Sequence, residues 1–254
     1  MFKGKISLFI KYWLNPVSLF RLAEFDFVDS AADWEKKKVL DISSPILFAA
    51  YLCKNTRDTN VLLFNPDSSD LDNSKELFSN ISIDRRLFTF LDSLEIKINS
   101  LDIVYSISVI EHVVDNEEEK FIENIWSFLK PGGVFILTFP VAAKNRIEYK
   151  KQNPYGLAVP QNDEGEYFYQ RVYDDETMNL RIIDKWEKLG GDVISKSIIG
   201  FKEGFSFHTY MARRRKLGFR EAKKDIIYAS KYLRDYSNTN ELPDRGVCGL
   251  VLGK

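Results

Sequence analysis

An acid and an imidazole sit side by side at Glu111-His112, directly after a short apolar run, Leu101 to Ser106. Such a pair suits proton transfer, because the imidazole titrates near neutrality and a neighbouring carboxylate can orient it. Two readings stand: a catalytic base at a pocket rim, or a carboxylate that orients local backbone beside a packed histidine. His208, in Phe205-Ser206-Phe207-His208, is the other candidate base, set against an ordinary core or surface histidine. The remaining polar candidates cluster at the ends of apolar runs: Asp41, Ser43 and Ser44, Asn65, Asp92, and Ser106 with Ile107. Arg146, Tyr149, Gln170 and Arg171 lie in a polar, tyrosine-rich stretch and suit a polar substrate such as a sugar. No metal centre is expected. The chain has two histidines and two cysteines, no Cys-x-x-Cys pair, and Cys53 and Cys248 read as buried free thiols.

These residues need elements to hold them. Val39 to Ile42 reads as a short strand after three lysines, and Ser44-Pro45 as the N-cap and first position of a helix over 46–54. Val61 to Phe64 is a second strand, 68–79 holds a helix, and a third strand falls between Ile81 and Leu91. Leu101 to Ser106 is a fourth strand. Glu117 to Leu129 is an amphipathic helix with acids in its first turn, and Pro131-Gly132-Gly133 turns into a fifth strand, Val134 to Phe139. Apolar strands alternating with helices through short connections give a parallel sheet covered on both faces. Ligands of such sheets bind at the carboxyl ends of the strands, which is where the polar candidates stand.

The second half is less regular. Pro140 to Gln170 is expected as a long polar loop, Tyr167 to Tyr173 as a strand or core edge, and Asp174 to Leu189 as a helix stopped by Gly190-Gly191. Val193 to Ile199 alternates like a strand, Leu217 to Tyr236 reads as a basic amphipathic helix, and Val247 to Leu252 closes the chain. Arg213-Arg214-Arg215-Lys216 is read as a solvated helix start or a contact for an anionic partner. The expected organisation is one domain over 1–254. It comprises a helical segment 1–35, a cofactor-binding half 36–140, a lid or substrate loop 141–173, and a C-terminal half 174–254 with a helical insertion at about 200–242.

Composition narrows the class. The 254 residues carry 36 basic against 37 acidic side chains, which argues against charge-driven nucleic-acid binding. At 44% hydrophobic and 29% charged, the chain is globular rather than disordered. Lys11 interrupts the N-terminal apolar run and no cleavage site follows, so a signal peptide is not expected. No apolar run reaches membrane-spanning length. A cytoplasmic protein is expected, with weak peripheral membrane contact through the N-terminal apolar residues as a lesser alternative.

Four stretches together resemble the class I S-adenosylmethionine (SAM)-dependent methyltransferases. They are Lys38-Val39-Leu40-Asp41, Leu101-Asp102-Ile103-Val104-Tyr105-Ser106, Val109-Ile110-Glu111-His112-Val113 and Leu129-Lys130-Pro131-Gly132-Gly133-Val134. The resemblance spans roughly 37–140 and implies a Rossmann-like α/β fold, a seven-stranded, mostly parallel sheet with helices on both faces. It also implies SAM as cofactor. By the same resemblance Asp41 anchors the loop around the methionine portion, with Ser43 and Ser44 in that loop. Asn65 faces the ribose hydroxyls, Asp92 receives the adenine amino group, and Ser106 to Ser108, Ile107 included, border the methyl-transfer site. The sequence departs from the family at three glycine positions, held by Ser43, Pro45 and Leu47. Pro45 has no N–H to offer a carboxylate, and Asn65 lacks the charge of the usual acid.

The function so implied is methyl transfer to a small-molecule or glycan-like acceptor, with His112 and His208 as candidate catalytic residues. Arg146, Tyr149, Gln170 and Arg171 are the candidate acceptor contacts. The alternative is a methyltransferase-fold binding or scaffold protein without catalysis, favoured by the missing loop glycines. A dinucleotide oxidoreductase is disfavoured because no Gly-x-Gly-x-x-Gly follows the first strand.

Overall fold

The computed structural model describes residues 18–65, 72, 84–87, 95–114, 117–153, 159–217, 229 and 231–254. The expected helix within 68–79 (Asp72 excepted), the proposed adenine contact Asp92, and the segment before Ser18 lie outside the described residues.

Helix α1 (Leu19–Ser30) is capped by Ser18, whose Oγ accepts from the Arg21 N–H. It is followed by β1 (Lys38–Ile42), α2 (Ile46–Asn55), β2 (Asn60–Asn65), β3 (Asp84–Leu87) and β4 (Leu101–Ile107). Next come a 3-10 turn at Ile110–His112, α3 (Glu118–Phe128) and β5 (Leu129–Val141). The carboxyl-terminal half holds β6 (Arg146–Lys150), β7 (Tyr167–Val172), α4 (Asp175–Met178, a π turn Asn179–Ile183, then Asp184–Lys188), β8 (Asp192–Phe201), α5 (Phe207–Leu217), β9 (Leu233–Tyr236) and β10 (Gly246–Gly253).

The sheet runs β3-β2-β1-β4-β5-β10-β8-β9. Its first five strands are parallel, and β10, β8 and β9 join by antiparallel pairing. The chain moves outward from β1 to β3 and then crosses back to β4, so the topological switch point lies between β1 and β4. Strand residues alternate between two apolar layers. Leu40, Val104, Phe135 and Leu137 pack with Phe121, Ile122, Ile125 and Trp186 of α3 and α4, whereas Val39, Ile103, Tyr105 and Ile136 pack with Val28, Trp34 and Phe48 from the α1 and α2 side. Helix α1 lies close on the sheet because Gly249 has no side chain; a Cβ there would sit 2.4 Å from the Phe27 ring.

The structure departs from the sequence expectations in four places. Among the described residues the seven expected strands are joined by an eighth: Leu233–Tyr236, expected as helix, adds an edge strand against β8. The basic run 213–216, expected at a helix start, lies within α5 (Phe207–Leu217), whereas residues 218–228 of the expected helix lie outside the described residues. The polar stretch after Pro140 is not a bare loop, since β6 and β7 form a hairpin within it. Pro45, not Ser44, is the N-cap of α2, and no side chain caps that helix. Ser44 is drawn inward instead, as described next.

Candidate active site

Asp41 is the penultimate residue of β1 and is fully buried. Its Oδ2 accepts from the Tyr105 hydroxyl at 2.7 Å and its Oδ1 from the Ser44 N–H at 2.9 Å. Burial outweighs those two bonds and lifts the carboxyl from 3.8 to about 6, the expected direction for a desolvated acid. Ser44 Oγ accepts the Ile107 N–H at 2.9 Å and so ties the loop after β1 to the end of β4. This explains why it does not cap α2: one hydroxyl cannot serve both ends. Ser43 stands at φ 50 and donates its N–H to Phe64 of β2 at 2.7 Å. A left-handed turn at a non-glycine residue is uncommon and costs on the order of 1 kcal/mol. The first glycine position of the family loop therefore keeps the glycine conformation without the glycine.

Asn65 ends β2, nearly buried at 8% exposure, beside this loop. Ser106 is fully buried, and its Oγ has no hydrogen-bond partner among the described residues. The following Ser108, at φ 55, donates to Glu24 of α1. Glu24 is 2% exposed, accepts the Thr138 hydroxyl at 2.9 Å and pairs with Arg21 at 2.9 Å. Arg21 also donates to the Ile107 carbonyl at 3.4 Å. Helix α1 thus delivers a half-buried ion pair onto the carboxyl-end halves of β4 and β5.

Glu111 and His112 lie in the 3-10 turn just beyond. Glu111 is buried with one oxygen unpartnered among the described residues, and burial raises its carboxyl to about 8, helped by the nearby Glu24. His112 Nδ1 lies 2.7 Å from the Tyr169 carbonyl. A carbonyl only accepts, so Nδ1 carries the proton and Nε2, 3.7 Å from Glu111, is the basic nitrogen of the neutral ring. Burial lowers the His112 pKa, and Lys150 and Arg21 add to that. The ring stays neutral at physiological pH.

The hairpin candidates divide. Gln170 and Arg146 both bond Glu148, which also takes Arg245 at 3.1 Å. Tyr149 is exposed. Arg171 is brought elsewhere: it is buried against Glu118 of α3 at 3.2 Å, and the same carboxylate takes Arg181 at 2.7 Å and the Tyr173 hydroxyl at 3.1 Å. That arrangement docks the hairpin and the π turn of α4 onto α3, so the expected substrate contact at Arg171 is replaced by a structural one. His208 is exposed on α5 and is not brought to Glu111-His112 by any contact the structure shows.

The site thus unites Asp41, Ser43, Ser44, Asn65, Ser106, Ile107 and His112 at one sheet edge. Sequence reasoning missed Arg21, Glu24, Tyr105, Glu148 and Arg245. For Glu24 a signal existed, because Phe20, Glu24 and Val28 recur every four residues and so share the buried stripe of α1. Among the described residues there is no group of three or more His, Cys, Asp or Glu that could hold a metal ion, and no helix is long and apolar enough to cross a membrane.

Comparison with known proteins agrees with this geometry. No curated protein sequence matches the chain. Solved structures do. A SAM-dependent methyltransferase from Mesorhizobium loti superposes with a TM-score of 0.55 at 13% identity, covering 95% of this chain and 100% of its own. Coclaurine N-methyltransferase, bound to N-methylheliamine and SAH, gives 0.56 at 14% identity, over 92% of this chain and 70% of that one. SpnF, a 4+2 cyclase, gives 0.57 at 15% identity over 94% and 83%, so the fold alone does not fix the reaction. Residues 40–137 match the family model described as a methyltransferase domain, a span that runs from within β1 to within β5 and includes Asp41, Asn65, Ser106 and Ile107. Over those residues the chain is similar to the methyltransferase-domain family, and its fold is that of the class I SAM-dependent methyltransferases.

Proposed function

We propose that the protein is a SAM-dependent methyltransferase acting on a small-molecule or glycan-like acceptor. One observation carries this: Ser43 holds the left-handed turn directly behind the buried Asp41, at the switch point of the sheet. That turn keeps backbone, not side chain, at the cofactor edge, as a close-approach loop requires. The residues fit the cofactor in three further respects. The amino end of α2 has no side-chain cap over its first amides, Asn65 can donate and accept at the ribose position, and Ser106 offers an unpartnered buried hydroxyl. Asp41, Ser43, Ser44 and Asn65 would hold the methionine and ribose portions, with Asp92 proposed for the adenine.

When bound, SAM supplies a methyl group activated by its sulfonium. The chain's own part is positioning and proton acceptance. His112 is set up for the second role, because its Nδ1–H is fixed on Tyr169 and Nε2 is the basic nitrogen of the neutral ring. Arg146, Tyr149 and Gln170 remain proposed as acceptor contacts at the hairpin.

The reading is tested with methyl-labelled SAM and a panel of hydroxyl- and amine-bearing small molecules and monosaccharides. Label in an acceptor that is lost in His112→Ala supports it. SAM binding without transfer to any acceptor favours a second reading, a binding or scaffold protein. Two observations favour that alternative: Pro45 removes one loop N–H, and Glu24 already engages Ser108 and Thr138.

A further inference from the structure

Beyond the cofactor edge, charged groups from α1, β6 and the residue before β10 meet around the Glu111-His112 turn. Lys150, at the end of β6, lies over the Tyr169 ring with Nζ 3.3 Å from the centroid, and the carbonyl of Tyr169 is the one that fixes His112. Arg21 reaches the same turn from α1 through the Ile107 carbonyl. Arg245, one residue before β10, is held by Glu148 and lies over Phe207. Arg146 takes the other oxygen of Glu148.

The acids here do not balance these cations. Glu24 is engaged by Arg21, and Glu148 is kept ionised by Arg245 and Gln170, although burial opposes this. Glu111 is uncharged at neutral pH. Four cations therefore face two carboxylates, Glu24 and Glu148. Part of this charge is reachable from solvent: the side chains of Arg21 and Arg245 are 26% and 12% exposed, and Lys150 is exposed. Arg245 also has a buried Nε–H with no acceptor among the described residues. An orphaned guanidinium donor is costly unless an oxygen reaches it, and arginine forks match carboxylate and phosphate oxygens.

We propose that Arg21, Lys150 and Arg245 form a subsite for an anionic group, carboxylate or phosphate, on the molecule that binds beside His112. Calling that molecule the methyl acceptor rests on the methyltransferase reading; the anion subsite itself does not. Glu148 acts as a placeholder that holds Arg245 and Arg146 in position until the anion enters.

The test uses the full-length protein, with inorganic phosphate and acetate titrated at constant ionic strength against chloride, and binding followed by calorimetry. Saturable binding of either anion is expected; the ratio of the two affinities says which oxygen chemistry the subsite prefers. Lys150→Ala, a surface change, should weaken binding at least fivefold, and Arg245→Lys should also weaken it. Glu148→Gln should tighten it several-fold, which a merely structural role for Glu148 does not produce. Absence of saturable binding of both anions overturns the subsite, as do unchanged affinities in Lys150→Ala and Glu148→Gln. SAM titrated into the same samples separates the two proposals. SAM binding without anion binding overturns only the subsite, while anion binding without SAM binding supports the subsite and removes the methyltransferase reading.

Discussion

Asp41 and Tyr105 face one another in register across β1 and β4, and the tyrosine hydroxyl closes on the carboxylate at 2.7 Å. Both are fully buried. This bond crosses the switch point and holds the acid that ties down the loop after β1 through the Ser44 N–H. Tyr105→Phe leaves Asp41 Oδ2 without that donor, which costs about 1–3 kcal/mol in stability for a buried acceptor. Because the hydroxyl favours the ionised acid, the variant should also raise the Asp41 pKa further. Urea unfolding reads the first effect, and a loss below about 0.5 kcal/mol would count against the bond.

Stability should depend on pH with a definite sign. Asp41 is raised from 3.8 to about 6 and Glu111 from 4.5 to about 8, both chiefly by burial. A raised acid binds its proton more tightly when folded. Its contribution is complete below the unfolded value and is lost as pH climbs through the folded value. For Asp41 this loss is ~3 kcal/mol between pH 4 and 6. Melting temperature is thus expected to fall from about pH 5 to pH 8, and Asp41→Asn with Glu111→Gln should flatten that slope. Below pH 4 the trend reverses, because Glu148 and Asp174 have lowered values and lose their partners when protonated. A wild-type melting temperature that rises steadily from pH 5 to 8 contradicts the account.

Glu118 is the anchor of the second half. It is fully buried and binds Arg171, Arg181 and Tyr173 at once. Removing one member of a buried ion pair strands the other, so Glu118→Ala should cost roughly 3–5 kcal/mol. Glu118→Gln keeps the volume and one acceptor oxygen and should cost less. A Glu118→Gln variant as stable as the wild type would show that charge pairing is not what holds the hairpin to α3.

Gly191 is, among the described residues, the tightest glycine for a named reason. A Cβ there would lie 2.2 Å from Trp186 Nε1 and 2.7 Å from the Gly253 carbonyl, the two groups that bond each other at 2.9 Å. Gly191→Ala should therefore cost about 1–3 kcal/mol through overpacking and alter tryptophan fluorescence. An unchanged emission spectrum and melting temperature would refute this.

Much of the cofactor half was legible in the sequence because its signals are local. Strands β1, β2, β4 and β5 read as apolar runs, and Pro131-Gly132-Gly133 marks the turn where Gly132 takes φ 78. The strand-end residues followed from the parallel sheet alone. What escaped was long-range. Glu24 meets Thr138 across 114 positions and Arg245 meets Glu148 across 97, and no spacing rule joins residues so far apart. The β6–β7 hairpin escaped because Arg146–Lys150 is polar and mostly exposed, which reads as loop. Arg171 looked like a substrate contact for the same reason: an arginine in sequence carries no sign of the buried glutamate it will meet.

Isothermal titration of the full-length protein with SAM and SAH tests most directly whether the Ser43-Ser44-Pro45 loop is a working cofactor site. The account predicts binding in the micromolar range, about 8 kcal/mol, weakened by Asp41→Ala and kept or tightened by Pro45→Gly, which restores the loop N–H. No heat of binding from wild-type protein with a cooperative melting transition would contradict it and leave the scaffold reading in its place.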